Sequence, residues 1–168
     1  DWLIYRLTGI LSAEPSNGST TGLMNLKTRT WDPSILERCE LKSDIFPSVM
    51  EAGSIVGPVS SKAAAETGLA EGTPVVVGGG DAQLGCIGVG AVDANEAAIF
   101  GGSFWQYEYN TNRAVTDSQC RVRVNCHAIK DVWQYEALAF KPGLVMRWFR
   151  DGFCQLEKQR ASEIARQT

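Results

Sequence analysis

Residues 73–90 read TPVVVGGGDAQLGCIGVG, and they predict a strand, a glycine-rich turn and a helix in succession. Residues 75–77 are three valines, and such a short β-branched run is typical of a strand buried on both faces of a parallel sheet. Pro74 is compatible with this strand because it stands at the beginning. We interpret residues 82–90 as a helix with Asp81 at its N-cap. The segment therefore predicts an α/β protein.

Asp81 is the candidate functional residue of this segment. Ligands of open α/β sheets bind beyond the carboxyl ends of the strands, and the glycines at 78–80 leave no side chain between a ligand and the backbone. An aspartate at this point could accept a proton from a substrate hydroxyl or hold a metal ion. The alternative is that it only caps the helix. A dinucleotide fingerprint is not supported, because Gln83 stands where its third glycine belongs, and no P-loop lysine follows.

The residues before this segment predict three helices separated by turns. The helices are predicted at residues 1–8, 33–41 and 62–67. Asp32 is expected to cap the second helix, and Gly68 is expected to end the third. Residues 14–22, EPSNGSTTG, are turn-forming residue types and predict a loop.

After Gly90 the pattern changes to that of a second sheet. Strands are predicted at residues 97–100, 105–109, 120–126 and 132–140. A helix is predicted after Pro142, with an apolar stripe formed by Leu144, Val145, Trp148 and Phe149. The first 90 residues hold six basic and ten acidic residues, whereas the other 78 hold ten and nine. Both changes predict a domain boundary near residues 91–95.

Gly101, Gly102 and Ser103 form a second glycine-rich turn, between two of the predicted strands. The backbone N–H groups of such a turn can bind an anion. Gly-Gly is also an ordinary hairpin turn, so the sequence leaves both interpretations open. Both this turn and Asp81 lie beside the predicted domain boundary, where small-molecule sites often form.

The composition argues against several classes of protein. The 168 residues are 44% hydrophobic and 21% charged, with a net charge of −3, which is unlike a protein that coats nucleic acid or anionic membrane. No apolar run approaches the ~20 residues of a membrane helix. Five scattered cysteines without a C-x-x-C pair argue against a zinc site and fit a reducing cytoplasm. We interpret as solvated surface groups the arginines Arg113, Arg121, Arg123, Arg147 and Arg150.

Four motifs resemble the middle of the FGGY carbohydrate kinases in order and spacing, across nearly the whole chain. They are DWLIYRLTG at 1–9, PSN at 15–17, GGD at 79–81 and FGGS at 100–103. The details at residues 83–86, 121–125 and 146–151 are most similar to the subgroup that phosphorylates the quorum-sensing signal autoinducer-2. The chain begins at Asp1 rather than methionine, and we expect it to be part of a longer protein.

The resemblance implies two domains of the ribonuclease H/actin-like ATPase fold with a cleft between them. Residues 1–92 would be the end of the first, substrate-binding domain, and residues 93–168 the start of the second, nucleotide-binding domain. The expected partners are a small-molecule substrate and ATP, with no nucleic acid and no membrane, in the cytoplasm. A homodimer is left open.

The resemblance also implies the roles of seven residues. Asp81 would be the catalytic base, and Mg²⁺ could be held through it. Ser16, Asn17 and Gln83 would bind the substrate. Gly101, Gly102 and Ser103 would bind the phosphates of ATP. The family usually has a hydroxyl residue where Gly102 stands, so phosphate binding is expected to depend on Ser103 and on backbone N–H groups.

The function implied is ATP-dependent phosphorylation of the terminal hydroxyl of a small sugar-like substrate, with autoinducer-2 (4,5-dihydroxy-2,3-pentanedione) as the first candidate. One alternative is a pentulose kinase such as a xylulose kinase, and another is a non-catalytic, actin-like sugar-binding module. The family's N-terminal D-x-G-T phosphate motif and its C-terminal glycine-rich adenine site are not among these residues. We therefore expect the 168 residues alone to have no kinase activity.

Overall fold

A computed structural model describes residues 1–166 and contains the strand, glycine turn and helix predicted at residues 73–90. Gln167 and Thr168, which end the second predicted domain, lie outside the described residues. The helices are α1 (Trp2–Thr8), α2 (Pro15–Ser19), α3 (Pro33–Arg38), α4 (Ser61–Thr67), α5 (Asp81–Gly88), α6 (Pro142–Phe153) and α7 (Gln155–Ala165), with a 3₁₀ helix at Ser43–Ile45. The strands are β1 (Ser12–Ala13), β2 (Met24–Asn25), β3 (Thr30–Trp31), β4 (Ser48–Val49), β5 (Ile55–Pro58), β6 (Pro74–Val76), β7 (Ala97–Gly101), β8 (Trp105–Thr111), β9 (Arg123–Cys126) and β10 (Trp133–Ala139).

The three helices predicted at residues 1–8, 33–41 and 62–67 are present, and the first and third end where predicted. α1 ends at Gly9, whose φ of 77° lies in the left-handed region that glycine tolerates best. α3 begins after Asp32, whose carboxylate accepts a hydrogen bond from the N–H of Ser34 at 2.9 Å. α3 ends at Arg38, earlier than predicted. α4 ends at Gly68, which has a φ of 78°.

The prediction of a loop at residues 14–22 is wrong, because the segment contains the short helix α2. Pro15 occupies the first helical position, where its fixed φ suits a helix. The Glu14 carboxylate caps the helix by accepting the N–H groups of Ser16, at 2.7 Å, and Asn17. Glutamate is not a usual N-cap residue, and four of the five residues of α2 are buried. Tertiary packing thus overrides the local turn preference.

The prediction that residues 75–77 form a doubly buried strand of a parallel sheet is also wrong. β6 pairs antiparallel with β5, and Pro74 lies opposite Pro58. Val76 is 51% exposed, whereas Val77 is buried. Within residues 1–166, β6 has one partner strand, so the valine run lacks the neighbouring strands and helices that would bury both of its faces.

The strands predicted after Gly90 form a four-stranded antiparallel sheet in the order β7-β8-β10-β9. β8 and β10 pair over seven residues, from Trp105 opposite Ala139 to Thr111 opposite Trp133. β9 is shorter than predicted. Cys120, where it was expected to begin, has a φ of 52° and cannot belong to a strand.

The helix α5 packs against this sheet and connects the two halves of the chain. A Cβ atom on Gly85 would lie 2.8 Å from the Phe100 ring of β7, so helix and strand are in close contact. The fully buried Cys86 accepts a hydrogen bond at its Sγ from Nε2 of Gln134 in β10, at 3.1 Å. The second sheet therefore fixes the position of the helix that begins at Asp81.

The helix predicted after Pro142 is present as α6, and its apolar stripe is exposed. The exposed fractions of the stripe residues are 46% for Leu144, 56% for Val145, 65% for Trp148 and 49% for Phe149. None of the helices in residues 1–166 is long and apolar enough to cross a membrane.

Candidate functional site

Asp81 is the first residue of α5, directly after the glycine turn that follows β6. Gly80, and not Asp81 as predicted, occupies the N-cap position. Oδ1 of Asp81 accepts the N–H of Ala82 at 2.8 Å, and the residue is exposed. A first-turn aspartate is favoured by the positive end of the helix dipole. The Asp81 carboxylate is therefore held in place by the start of α5, and it is open to a ligand.

The three glycines before Asp81 have different surroundings. A Cβ atom on Gly78 would meet no other described residue within 4 Å. On Gly79 it would lie 3.2 Å from both Oγ of Ser16 and Cβ of Ala128, and on Gly80 it would clash with Oε1 of Gln83. Gly79 and Gly80 therefore have protein atoms where a side chain would stand, whereas Gly78 has none, and the approach of a ligand to this backbone stays a prediction. Their lack of a side chain lets the protein pack against itself.

Ser16 and Gln83 are near Asp81, but they are not open to a substrate. Ser16 has no exposed surface, and its Oγ accepts the N–H of Gly80 at 2.8 Å. Gln83 is 3% exposed. Both side chains are thus buried among the described residues, and their predicted role in binding the substrate stays a prediction. Asn17, the third predicted substrate contact, is exposed.

Gly101 is the last residue of β7, Gly102 and Ser103 lie in the turn that leads to β8, and all three are exposed. The N–H of Gly102 is donated to the carbonyl oxygen of Phe104 at 2.8 Å, so it is already used within the turn. The Ser103 hydroxyl has no hydrogen bond to any of residues 1–166. The Ser103 hydroxyl is thus available to a ligand, whereas the N–H of Gly102 is not.

The start of α6 touches the same turn. A Cβ atom on Gly143 would clash with the carbonyl oxygen of Gly102 and lie 3.2 Å from Cα of Ser103. Only a glycine allows the two backbones to approach so closely. The first turn of α6, in which Pro142 has no N–H and Val145 donates its N–H to Lys141, therefore lies beside Gly102 and Ser103.

A layer of buried polar side chains lies between the second sheet and α5, and the sequence reasoning missed it. Glu108 of β8 has no exposed surface, and neither of its carboxyl oxygens has a hydrogen-bond partner among the described residues. Burial, then the nearby carboxylates of Glu136 and Asp81, raise the pKa of Glu108 to about 8. The buried polar residues of this sheet are Glu108, Asn110, Asn125, Gln134 and Glu136.

The sequence carries a signal for this layer. Polar residues alternate with tyrosines in QYEYN at 106–110 and in QYE at 134–136. Such an alternation normally predicts that the aromatic face is buried and the polar face is solvated. Here Tyr107 is 46% exposed and Glu108 is buried, so the faces are reversed.

Arg29 joins the first half of the chain to the second. It lies in the turn between β2 and β3, and its guanidinium makes two bonds of 2.7 Å to the Glu51 carboxylate. The same group donates to the carbonyl oxygens of His127, at 2.8 Å, and Val132, at 3.2 Å. His127 is buried, and this burial, with the nearby Arg29 charge, lowers its pKa to about 4. The histidine, which directly follows the end of β9, is therefore neutral near pH 7.

Within residues 1–166 there is no cluster of three or more His, Cys, Asp or Glu side chains that could hold a metal ion. The exposed Asp81 carboxylate can contribute one oxygen ligand to a cation that takes its other ligands elsewhere. Mg²⁺ commonly binds in this way, with one or two protein carboxylates and the phosphates of a nucleotide.

Comparison with known proteins agrees with the resemblance noted in the sequence. Residues 1–88 match the model of the N-terminal domain of the FGGY family of carbohydrate kinases. The chain is 51% identical to the autoinducer-2 kinase of Escherichia coli (strain K12) over 164 residues. This match covers 98% of the chain. It spans 31% of the length of that curated relative.

Solved structures of sugar kinases have the same fold. The ligand-bound xylulose kinase from Lactobacillus acidophilus superimposes with a TM-score of 0.83 and 25% identity, over 90% of this chain and 31% of that chain. The glycerol kinase of Plasmodium falciparum with ADP superimposes with a TM-score of 0.80 and 22% identity, over 99% of this chain and 34% of that chain. The α/β, actin-like ATPase fold predicted from the sequence is thus confirmed.

Proposed function

Because the chain belongs to the FGGY family of carbohydrate kinases, we propose that it works as part of an enzyme that transfers the γ-phosphoryl group of ATP to a terminal hydroxyl of a small sugar-like substrate. The observation that carries this proposal is the exposed carboxylate of Asp81, fixed at the start of α5 and at the carboxyl end of β6.

Asp81 acts as the general base in this proposal. One of its oxygens is held by the N–H of Ala82, and the other is free to accept the proton of the substrate hydroxyl. As that proton leaves, the hydroxyl oxygen attacks the γ-phosphorus and ADP departs. A general base of this kind typically contributes 10²–10⁴-fold to the rate.

The turn at residues 101–103 is the proposed contact for the phosphates of ATP. Its support is the free hydroxyl of Ser103 and the adjoining first turn of α6, whose N–H groups favour a negative charge. Mg²⁺, when bound with ATP, would neutralise charge on the phosphates. Asp81, whose second carboxylate oxygen has no partner among residues 1–166, is the carboxylate that would help to hold it.

Autoinducer-2 is the proposed substrate, because the E. coli relative with 51% identity is an autoinducer-2 kinase. Xylulose is the second candidate, supported by the fold of the xylulose kinase from L. acidophilus. Asn17 is the proposed substrate contact among the three suggested by the sequence, since its side chain is the exposed one. We keep the division into a substrate part, residues 1–92, and a nucleotide part, residues 93–168, which the family match over residues 1–88 supports.

The test measures ADP formation by a full-length kinase that contains these 168 residues, with 4,5-dihydroxy-2,3-pentanedione and xylulose in parallel. Asp81→Asn should lower kcat by about 10² or more, because the amide is not a base, while ATP binding is retained. Asp93→Asn, at an exposed aspartate outside the site, should leave kcat unchanged. An Asp81→Asn variant as active as the wild type would show that Asp81 is not the general base. A wild-type kinase without turnover on either substrate would favour the non-catalytic sugar-binding module.

A further inference from the structure

The hydroxyl of Ser16 connects α2 to the start of α5. Its Oγ accepts the N–H of Gly80 at 2.8 Å, across 64 positions of sequence. The same hydroxyl lies 2.7 Å and 2.9 Å from the two carboxylate oxygens of Glu14, to which it donates its proton. Ser16 has no exposed surface. Its hydrogen-bonding capacity is therefore used inside the protein.

The Glu14 carboxylate connects this bond to the exposed Asn17. It accepts the N–H groups of Ser16, at 2.7 Å, and of Asn17, and it is itself buried. Asn17 and Gly80 are thus held by one carboxylate, directly in the first case and through the Ser16 hydroxyl in the second. Hydrogen bonds to a charged group are shorter and stronger than neutral ones, so this arrangement is stiff.

We propose that Ser16 is a positioning residue, which holds the Gly80–Asp81 backbone at a fixed place relative to Asn17 so that the Asp81 carboxylate meets the substrate hydroxyl. The inference rests on the proposed function, since it assigns the role of Ser16 in that reaction. Removal of the hydroxyl leaves the Gly80 N–H without a partner and frees the start of α5 to shift. A displacement of about 1 Å at a reacting group can cost about 10²-fold in rate.

Ser19 provides a matched control on the same helix. It is buried, and its Oγ accepts the N–H of Cys126 in β9 at 2.9 Å and donates to the carbonyl oxygen of Ser16 at 3.0 Å. Ser19 therefore makes the same kind of bond as Ser16, from α2 to a distant backbone N–H, but its partner is not next to Asp81. A loss of α2 stability alone should affect both serine variants equally.

The experiment compares Ser16→Ala, Ser16→Cys and Ser19→Ala in a full-length kinase that contains this chain. Ser16→Ala should lower kcat at least about tenfold, with the KM values for ATP and for the sugar substrate within about twofold of the wild type. Ser16→Cys nearly keeps the volume and offers a weak acceptor, so its kcat should be intermediate. Ser19→Ala should keep the wild-type kcat, with a melting temperature lowered as much as that of Ser16→Ala.

Hydrogen exchange at Gly80 gives a second readout that does not depend on turnover. The Gly80 amide should exchange faster in Ser16→Ala and at the wild-type rate in Ser19→Ala. Equal losses of kcat in the two alanine variants, or unchanged exchange at Gly80 in Ser16→Ala, would overturn the inference. If Ser16→Ala does not fold, Ser16→Cys decides by the same criteria. A wild-type kinase without turnover on either substrate would instead reject the proposed function, and the positioning role with it.

Discussion

Glu108 lies directly opposite Glu136 across the β8–β10 pair, and both carboxyl groups point into the layer between the second sheet and α5. Glu136 has polar partners, because Asn125 donates to it at 3.1 Å and Arg123 lies 3.5 Å away. Glu108 has none among the described residues. An unpaired buried carboxylate is costly, so Glu108 keeps its proton in the folded protein.

The first prediction concerns the stability of the fold against pH. Folding raises the pKa of Glu108 from 4.5 to about 8, through burial and then through Glu136 and Asp81. The folded state therefore keeps a proton that the unfolded state releases. The contribution of Glu108 is fully present below the unfolded pKa of 4.5 and is lost as the pH rises to about 8, at up to about 1.4 kcal/mol per pH unit.

Glu108→Gln should remove this pH dependence, so the variant should gain stability relative to the wild type as the pH rises from about 5 to about 8. The measurement is the difference in melting temperature between variant and wild type at each pH. This difference also cancels the contribution of His127, whose pKa is lowered to about 4 and which acts in the opposite direction. Glu71→Gln, at an exposed glutamate, should show a constant difference. A constant difference for Glu108→Gln as well would show that Glu108 is not buried as described.

The second prediction concerns the junction made by Arg29. Arg29→Ala leaves the Glu51 carboxylate and the carbonyl oxygens of His127 and Val132 without their donor, and should cost about 3 kcal/mol. Arg29→Lys should recover a part of this, because one ammonium group cannot make the paired bonds of a guanidinium. Chemical unfolding provides the measurement.

The control for the Arg29 variants is Arg6→Ala. Arg6 makes an ion pair of 3.1 Å with Glu66, in which both side chains are nearly half exposed. Exposed pairs contribute little, so this change should cost less than about 1 kcal/mol. Equal losses for Arg6→Ala and Arg29→Ala would mean that the buried bonds to the second half do not stabilise the fold.

The third prediction concerns the contact between α6 and the glycine turn. A methyl group on Gly143 would clash with the carbonyl oxygen of Gly102. Because this oxygen belongs to the backbone, the turn must move to make room. Gly143→Ala should therefore raise KM for ATP severalfold and leave KM for the sugar substrate unchanged. Steady-state kinetics of the full-length kinase test this.

Gly152→Ala is the matched control in the same helix. A Cβ atom there would meet none of the described residues within 4 Å, and alanine favours helices over glycine by about 1 kcal/mol. The variant should be slightly more stable than the wild type, with unchanged KM values. An unchanged KM for ATP in Gly143→Ala would remove residues 101–103 from the proposed phosphate contact.

The fourth prediction concerns the cysteines. All five thiols are free, with Cys39 and Cys120 exposed and Cys86 and Cys126 buried. Burial raises the pKa of the Cys86 and Cys126 thiols, and the thiolate is the reactive form. Near pH 7 a thiol reagent should label Cys39 and Cys120 first, and Cys86 and Cys126 only on unfolding. Mass spectrometry of the labelled peptides identifies the sites, and early labelling of Cys86 would contradict its packing against the second sheet.

Local sequence determined those elements that depend on local chemistry. Gly9 and Gly68 end helices because glycine takes the left-handed conformation without penalty, and Asp32 begins α3 because its carboxylate accepts the free N–H groups of the first turn. The alternating residues after Gly90 gave the strands of the second sheet, and GGD and FGGS gave the family. These features need no knowledge of distant residues.

Only the tertiary structure decided which side chains of the candidate site are open. Ser16 is a polar residue in loop-like sequence, and its burial accompanies the approach of α2 to Gly80; Gln83, in the first turns of α5, is buried as well. The buried polar face of β8 and β10 has the same origin, because α5 covers it and leaves the tyrosine face exposed. Residue periodicity shows that a strand has two different faces. Which face is buried depends on the neighbouring element, and here that neighbour is the helix that begins at Asp81.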